Sequence, residues 1–466
     1  MGELKKRYGL ITAICMVVGI VIGSGVFFKA EAMLNITSGD LPTALISWLL
    51  GGIVMVISGY TFAVMGTRYE KVNGVVDYSE ALVGSRYAYL VGWFMATIYY
   101  PAMTSALAWL SGRYTMSLFG YGAADPETMV MSFVYLVLSF ALNTLAPKLA
   151  GKFQVSTTAI KLVPLALMAV VGTIVGLKSG AAGTLITNMN SVVDESGALV
   201  ARNGIATSLI LPGICTSVFA YEGWVIATSI NSELKDAKKN LPRALVFGTV
   251  LVVIVYMLYY IGISGSISTD KLLGEGGGAS LAFTSTFGNI MGTILTVFIA
   301  ISCLGTLNGL TLASDRGFYS LAARGHGPKP SYLGKLDEAT EMPSNASIIA
   351  LIFNAGWLFY FYMANLTPFA NSNMFLFDST ELPLVCVYAF YIPVYIMLIV
   401  KGNGLNPFKR FVMPILSIAG AFLFIYASIA KHKMANVGFI IVAAVIMIVG
   451  ALFYRKSAAV KQTANK

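Results

Sequence analysis

Charged residues are scarce in this chain: 11% of its 466 residues are Asp, Glu, Lys or Arg, against about 25% in soluble domains. That deficit, with 57% hydrophobic residues, excludes an ordinary water-soluble globule and points to a polytopic membrane protein. Histidine is rarer still. The two present, His326 and His432, fall in loop-like segments, which leaves little for metal ligation or a histidine-based triad. The four cysteines (Cys15, Cys215, Cys303 and Cys386) lie in apolar runs without C-x-x-C spacing, so neither a disulfide framework nor a zinc site is indicated. No metal and no other cofactor is expected. The formal net charge of +10 raises nucleic acid as a partner, but that reading needs a clustered basic face. Here the basic residues stand in short groups between apolar runs, so no nucleic-acid partner is expected.

Long apolar runs are what the chain has in quantity. Runs able to cross a bilayer lie at about 10–34, 41–66, 86–119, 129–146, 153–177, 205–231, 243–265, 282–313, 345–364, 374–400, 411–430 and 435–454, roughly twelve spans. The expected fold class is all-α integral membrane. Lys5-Lys6-Arg7, the first run and Ala30-Glu31-Ala32 together look like a secretory leader, but the run exceeds a typical leader core and many spans follow. It is read as a retained first helix. With the N-terminus inside, the outer loops collect only Lys29, Arg113, Lys178, Arg202, Lys271, Lys431 and Lys433, and nearly all other basic residues fall on the inner side. This bias places both termini in the cytoplasm. Nothing reads as a separate soluble domain, and the tail after Tyr454 is short and polar.

Two of the runs are interrupted. The first contains Gly19-Ile20-Val21-Ile22-Gly23-Ser24-Gly25-Val26-Phe27, poor material for a continuous helix, since an interior Gly costs about 1 kcal/mol relative to Ala. In a bilayer, irregular backbone is tolerated only where it is buried in protein or lines a wet cavity. A small ligand can then take the exposed N–H groups and carbonyls of the half-helices. The plainer reading is a helix-packing face, because Gly19 and Gly23 fit a GxxxG spacing. The sixth run is broken by Pro212-Gly213 and by Phe219-Ala220-Tyr221-Glu222-Gly223-Trp224. Five spans lie from the first interruption to the start of the second, and an odd number inverts the second copy. Paired interruptions in two halves point to a transporter site. The domain reading is a transport core over 1–400, with repeat one at about 10–177 and repeat two at about 205–400, and two accessory helices with a short tail over 401–466.

Among single residues, Glu222 is the acid most clearly in mid-span, where an unpaired carboxylate costs several kcal/mol. Its functional roles are recognition of a substrate cation or exchange of a coupling proton, and its structural role is bonding nearby free N–H groups. Lys161 sits nine residues beyond Lys152, about 14 Å into the membrane at 1.5 Å per residue. It can act as a fixed cation in place of a metal ion, carry a proton, or tie two helices through an ion pair. Pro164 beside it frees a carbonyl. Asp378 and Glu381, before Pro383, line an outer vestibule or, on the favoured reading, mark the outer membrane boundary. Tyr99, Tyr100 and Pro101 wall a cavity or simply pack. Phe219 adjoins an interruption and can swing over a ligand as a gate. The segments Glu233 to Arg243 and Asp315 to Pro328 are basic, helix-capable inner loops that anchor to headgroups.

Taken together, Ile22-Gly23-Ser24-Gly25-Val26-Phe27, the Lys238-Lys239-Asn240-Leu241-Pro242-Arg243 loop and the Arg316 to Pro328 segment resemble the amino acid–polyamine–organocation superfamily of permeases over nearly the whole chain. Phe219 to Trp224 is most similar to L-type amino acid exchangers and bacterial serine/threonine exchanger-like members. The resemblance implies a LeuT-like fold of five-plus-five inverted repeats with two extra helices. It implies that a substrate α-carboxylate meets Ser24 and Gly25, and that the α-ammonium meets carbonyls near Val21, Phe219 and Glu222. Phe219 matches the gate, and Lys161 matches a lysine that replaces a bound sodium ion, contacting the first break around Gly19 with a hydroxyl such as Ser302. An acid at Glu222 departs from many neutral-selective members and resembles exchangers that accept cationic amino acids.

The expected function is a sodium-independent secondary transporter of L-amino acids in the cytoplasmic membrane, an exchanger with neutral or broad neutral and cationic specificity. A proton-coupled symporter using Lys161 or Glu222 is the alternative, and a polyamine carrier is a third. A membrane enzyme lacks a nucleophile–base pair or metal ligands in the spans, and a channel lacks a filter or polar stripe; no enzyme activity is expected. The expected partners are an amino acid substrate and the lipid bilayer, with no obligatory protein partner.

Overall fold

An N–H or C=O in hydrocarbon must find its partner within the protein, which leaves helices as the economical way across. The computed structural model describes residues 9–23, 25–69, 74–178, 183–225, 234–274, 278–370 and 372–454, and these are helical almost throughout. The strands among the described residues form one antiparallel ribbon, Ser191–Val193 with Leu199–Ala201.

The helices that build the site are, in order, α1 (Leu10–Val21), α2 (Gly25–Ile36), α3 (Leu41–Arg68), α4 (Tyr100–Ser117), α5 (Pro126–Leu145), α6 (Pro147–Ile160), α7 (Thr207–Ser217), α8 (Ala237–Ser266), α9 (Gly278–Ala323), α10 (Ser344–Asn365), α11 (Leu382–Lys401), α12 (Met413–His432) and α13 (Met434–Leu452). Eight described helices are long and apolar enough to cross a membrane: α3, α5, α8, α9, α10, α11, α13, and α12 together with the π-helical turn ahead of it. The protein is therefore a multi-pass, all-helical membrane protein. Phe133, Leu138, Ile352, Ile440 and Ile448 are exposed on its outside, as side chains facing lipid are.

The other apolar runs are divided, each for a reason visible in its residues. The first parts into α1, which ends at Val21, and α2, which begins at Gly25. In the third, a π-helical turn over Met95–Tyr99 precedes α4; the wider turn absorbs Pro101, which has no N–H to donate. In the fifth, α6 stops at Ile160, Lys161 forms a turn, and helix resumes over Leu162–Leu167. Pro164 cannot bond the Ile160 carbonyl, so the rod loosens there. The sixth run is not broken at Pro212-Gly213 as expected: the proline costs α7 one backbone bond, but the helix continues through both residues and ends at Ser217.

Helix α8 lies along α3 and α1, α9 packs against α4, α6 and α10, and α12 packs against α3, α7 and α11. One crossing is closer than side chains permit. A Cβ added at Gly262 on α8 would run into the Met168 carbonyl. One at Gly265 would lie 2.7 Å from the Gly172 oxygen, and one at Gly176 2.6 Å from the Gly265 Cα. Backbone packs on backbone here, the arrangement small residues allow in membranes, and it holds the stretch just after Lys161 in place. Gly262→Val is expected to destabilise the protein by about 2 kcal/mol or more, the scale of overpacking, seen as a lower unfolding temperature in detergent. Gly151→Val, where a Cβ meets open space, should leave that temperature nearly unchanged.

Candidate functional site

The first break is short. Helix α1 ends at Val21, Ile22 turns extended (φ −68°, ψ 92°), and α2 begins at Gly25. Ser24 lies outside the described residues. Two glycines let this break press against its neighbours. A Cβ at Gly25 would lie 3.1 Å from the Ala220 Cα and 3.2 Å from the Phe219 ring, and one at Gly23 would lie 3.1 Å from Thr306 on α9. The second break follows α7. Residues 218–225 form turns, with Ala220 N–H bonded to Ser217 O at 3.1 Å and Glu222 N–H to Phe219 O at 3.4 Å. Gly223 has φ 104°, a conformation that side chains disfavour. Tyr221 O–H donates to the Trp48 carbonyl on α3 at 2.9 Å, and Trp224 Nε1–H donates to Tyr388 on α11 at 3.2 Å. These bonds fix the turns against rigid helices. Residues 226–233, beyond them, lie outside the described residues.

Where the breaks meet there is a cavity of about 270 Å³. Gly19, Val21, Gly23 and Gly25 line it from the first break, and Phe219, Ala220, Glu222 and Gly223 from the second. Tyr99, Met103 and Leu107 close one wall, Gln154 and Lys161 another, and Thr306, Gly309, Leu310 and Leu312 of α9 the last. At one end Gln154, Gly309, Leu310 and Leu312 are partly exposed, whereas Met103, Leu107, Phe219 and Ala220 toward the other end are buried. The side of the cavity formed by α6 and the later part of α9 is thus among its less buried parts. The opposite end is covered by Phe219, whose ring packs edge-on to Phe28 at 6.2 Å. Lys29 Nζ lies over both rings, 5.0 Å from Phe28 and 5.4 Å from Phe219.

The polar groups of the cavity are few and placed. Lys161 Nζ donates to the Gly19 carbonyl, one of those stranded near the end of α1. The Val21 carbonyl accepts from Tyr256 O–H at 3.1 Å. Glu222 accepts from Tyr99 O–H at 2.7 Å, and it is half-buried against the cavity. Such a site can hold a small zwitterion: backbone groups take its charged ends, and a largely apolar wall leaves room for a side chain. Ser302 is buried, does not line the cavity, and its hydroxyl has no hydrogen-bond partner among the described residues.

A family model described as amino acid permease matches residues 8–453. The chain belongs to the amino acid permease family. The permease is 29% identical to the serine/threonine exchanger SteT of Bacillus subtilis (strain 168), over 93% of each chain. It is 29% identical to b(0,+)-type amino acid transporter 1 of Oryctolagus cuniculus, over 70% of this chain and 64% of that one. It is 28% identical to large neutral amino acids transporter small subunit 2 of Mus musculus, over 73% of this chain and 62% of that one. The permease thus spans less than two thirds of the length of these mammalian relatives.

Sequence reasoning left Tyr99 as packing or cavity wall, and the structure makes it the hydroxyl partner of Glu222. The available signal was Tyr99-Tyr100-Pro101 in mid-run, where a proline shifts the helical register. Glu381 was read as a boundary marker, yet it is 1% exposed and gathers Lys29, Lys431 and His432. His432, read as a loop residue, is the last residue of α12. Cys215, Glu381 and His432 also bring three ligand atoms within 4.8 Å of one another. Glu381 already accepts from both lysine ammoniums, so a dication there would have to displace two positive charges, one of them fully buried.

Replacing Gly25 by Ala should push the two breaks apart, since the Ala220 backbone and the Phe219 ring must each give way by a few tenths of an ångström. Binding of a labelled amino acid to the solubilised permease is expected to weaken about tenfold, with the unfolding temperature little changed.

Proposed function

We propose that the permease is a sodium-independent secondary transporter of L-amino acids that works by exchange, with neutral or broad neutral and cationic specificity. The observation that carries this reading is the cavity formed where two helix interruptions abut, lined by backbone of both breaks, in a member of this family. The proposed architecture is LeuT-like. Twelve spans are arranged as five-plus-five inverted repeats over about 10–177 and 205–400, with two accessory helices over 401–466. Both termini are assigned to the cytoplasm and the protein to the cell membrane. On that assignment the partly exposed end of the cavity faces inward, and the Phe219 end faces out.

In the proposed mechanism the substrate carboxylate meets the Ser24–Gly25 turn at the start of α2, where helix N–H groups favour an anion. The ammonium meets carbonyls near Val21 and the Phe219–Glu222 turn. Phe219 is the gate on the outer side. Lys161, by bonding the Gly19 carbonyl, supplies the positive charge that a bound sodium ion would otherwise bring, which supports sodium independence. Glu222, held by Tyr99, offers its remaining lone pairs to a cationic side chain. Binding energy at the breaks drives occlusion, and one half rocks against the other. The proposed permease works without an obligatory protein partner, although the mouse relative bears the name of a small subunit. The ionisable Lys161 and Glu222 in the cavity wall favour one second reading, proton-coupled symport.

Purified permease alone in liposomes should take up labelled alanine, serine, threonine, leucine or arginine only when amino acid is present inside, irrespective of sodium. Uptake driven by external acid without internal substrate would establish the symport reading instead, and uptake of putrescine alone would establish a polyamine carrier. Glu222→Gln should lower arginine uptake about tenfold relative to leucine, the scale of one charge-assisted hydrogen bond. Equal loss for every substrate would make the acid structural.

A further inference from the structure

The residues bonded around Glu381 are not among those that line the cavity. Glu381 precedes α11 and is 1% exposed, as is the Lys29 that reaches it from α2. Lys29 Nζ donates to Glu381 at 2.6 Å and to Thr380 at 3.0 Å. From α12, Lys431 Nζ donates to the two Glu381 oxygens at 2.8 and 2.7 Å and to Thr216 of α7 at 2.6 Å. His432 Nε2 lies 2.9 Å from the same carboxylate, and the Cys215 thiol of α7 donates to it at 3.4 Å. One carboxylate therefore joins the second half of the first run, the first half of the sixth, α11 and α12. Asp378 lies within electrostatic reach of Lys431 and offsets part of the surplus positive charge.

Burying so many ions together is a poor way to gain stability, because their desolvation roughly cancels their attraction. It is an effective way to define one arrangement of four helices, and it is reversible: if α2 and α7 move away, water can enter and solvate each ion separately. The position fits such a role. Lys29 also lies over Phe219 and Phe28, so the cluster sits directly behind the aromatic cover of the cavity.

We propose that Glu381 with Lys29, Lys431 and His432 is the lock of the outer gate, and that α12 is a working part of the transport cycle. This rests on the proposed reading of the permease as an alternating-access exchanger. Opening to the outside requires α2 and α7 to leave Glu381. Lys431 and His432 of α12 set how often that happens, by holding the carboxylate and, through the Lys431 bond to Thr216, the end of α7. Lys431 and His432 are positioning residues in this sense, since neither lines the cavity.

Cys215 is a built-in reporter, because it is wholly buried within the cluster. With Cys15, Cys303 and Cys386 replaced by Ala, its reaction with a membrane-impermeant thiol reagent added outside proteoliposomes measures the open fraction. Lys431→Met keeps the Glu381–Lys29 pair and should raise the labelling rate about tenfold or more, the weight of a charge-assisted bond, while Lys431→Arg restores it. Loss of a nearby cation disfavours the reactive thiolate, so faster labelling reports opening and not activation of the sulfur. Glu381→Gln should act in the same direction; if it does not fold, Lys431→Met decides. Labelled amino acid binding, measured on the same variants, separates the two readings. Unchanged labelling in a Lys431→Met variant that still binds substrate overturns the lock and leaves exchange intact. Faster labelling in a protein that binds no amino acid supports the lock and overturns the substrate assignment.

Discussion

A peptide group stranded in hydrocarbon needs a partner, and the whole interior of this permease follows from where that rule is relaxed. Helix α1 gives up its pattern at Val21, and two carbonyls loosened there are met from other elements: Lys161 on the Gly19 carbonyl, Tyr256 on the Val21 carbonyl. The second break instead uses its own turns, with Tyr221 and Trp224 pinning them to α3 and α11. Such bonds make an unwound segment tolerable at membrane depth, and they leave a hollow whose walls are partly backbone.

The supports of the breaks are themselves placed by small residues. Gly23 and Gly25 allow the first break to touch α9 and the second break, and the Gly262–Gly265 crossing sets the segment that follows Lys161 against α8. A lysine's reach is limited, so the depth of its ammonium depends on that crossing and on the turn at Lys161 itself. In lipid, apolar burial adds nothing between helices, and close packing of this kind takes over its role.

Buried charge in this permease is held in two different ways. Glu222 and Lys161 stand on opposite sides of the cavity, each held by one side-chain or backbone partner with lone pairs or donors to spare. Glu381 is the reverse, with its oxygens fully engaged by groups from α2, α7 and α12. A half-engaged ion is suited to meeting a ligand, and a fully engaged one to holding a conformation.

Composition and the spacing of apolar runs determined that this protein is helical and lies in a membrane, because few charges and long hydrocarbon stretches admit no other solvent. Local chemistry was also enough to place one interruption within Gly19 to Phe27 and another at Phe219 to Trp224, where glycines and a mid-run carboxylate oppose helix. The break expected at Pro212-Gly213 is absent, because α7 runs through both residues to Ser217. What stands next to what was a different matter. Nothing local to Tyr99 says that its hydroxyl meets Glu222, and nothing local to Glu381 distinguishes a boundary acid from one that gathers lysines from α2 and α12. Those partners are 123, 352 and 50 residues apart in the chain, and only the packing of the helices brings them within bonding distance.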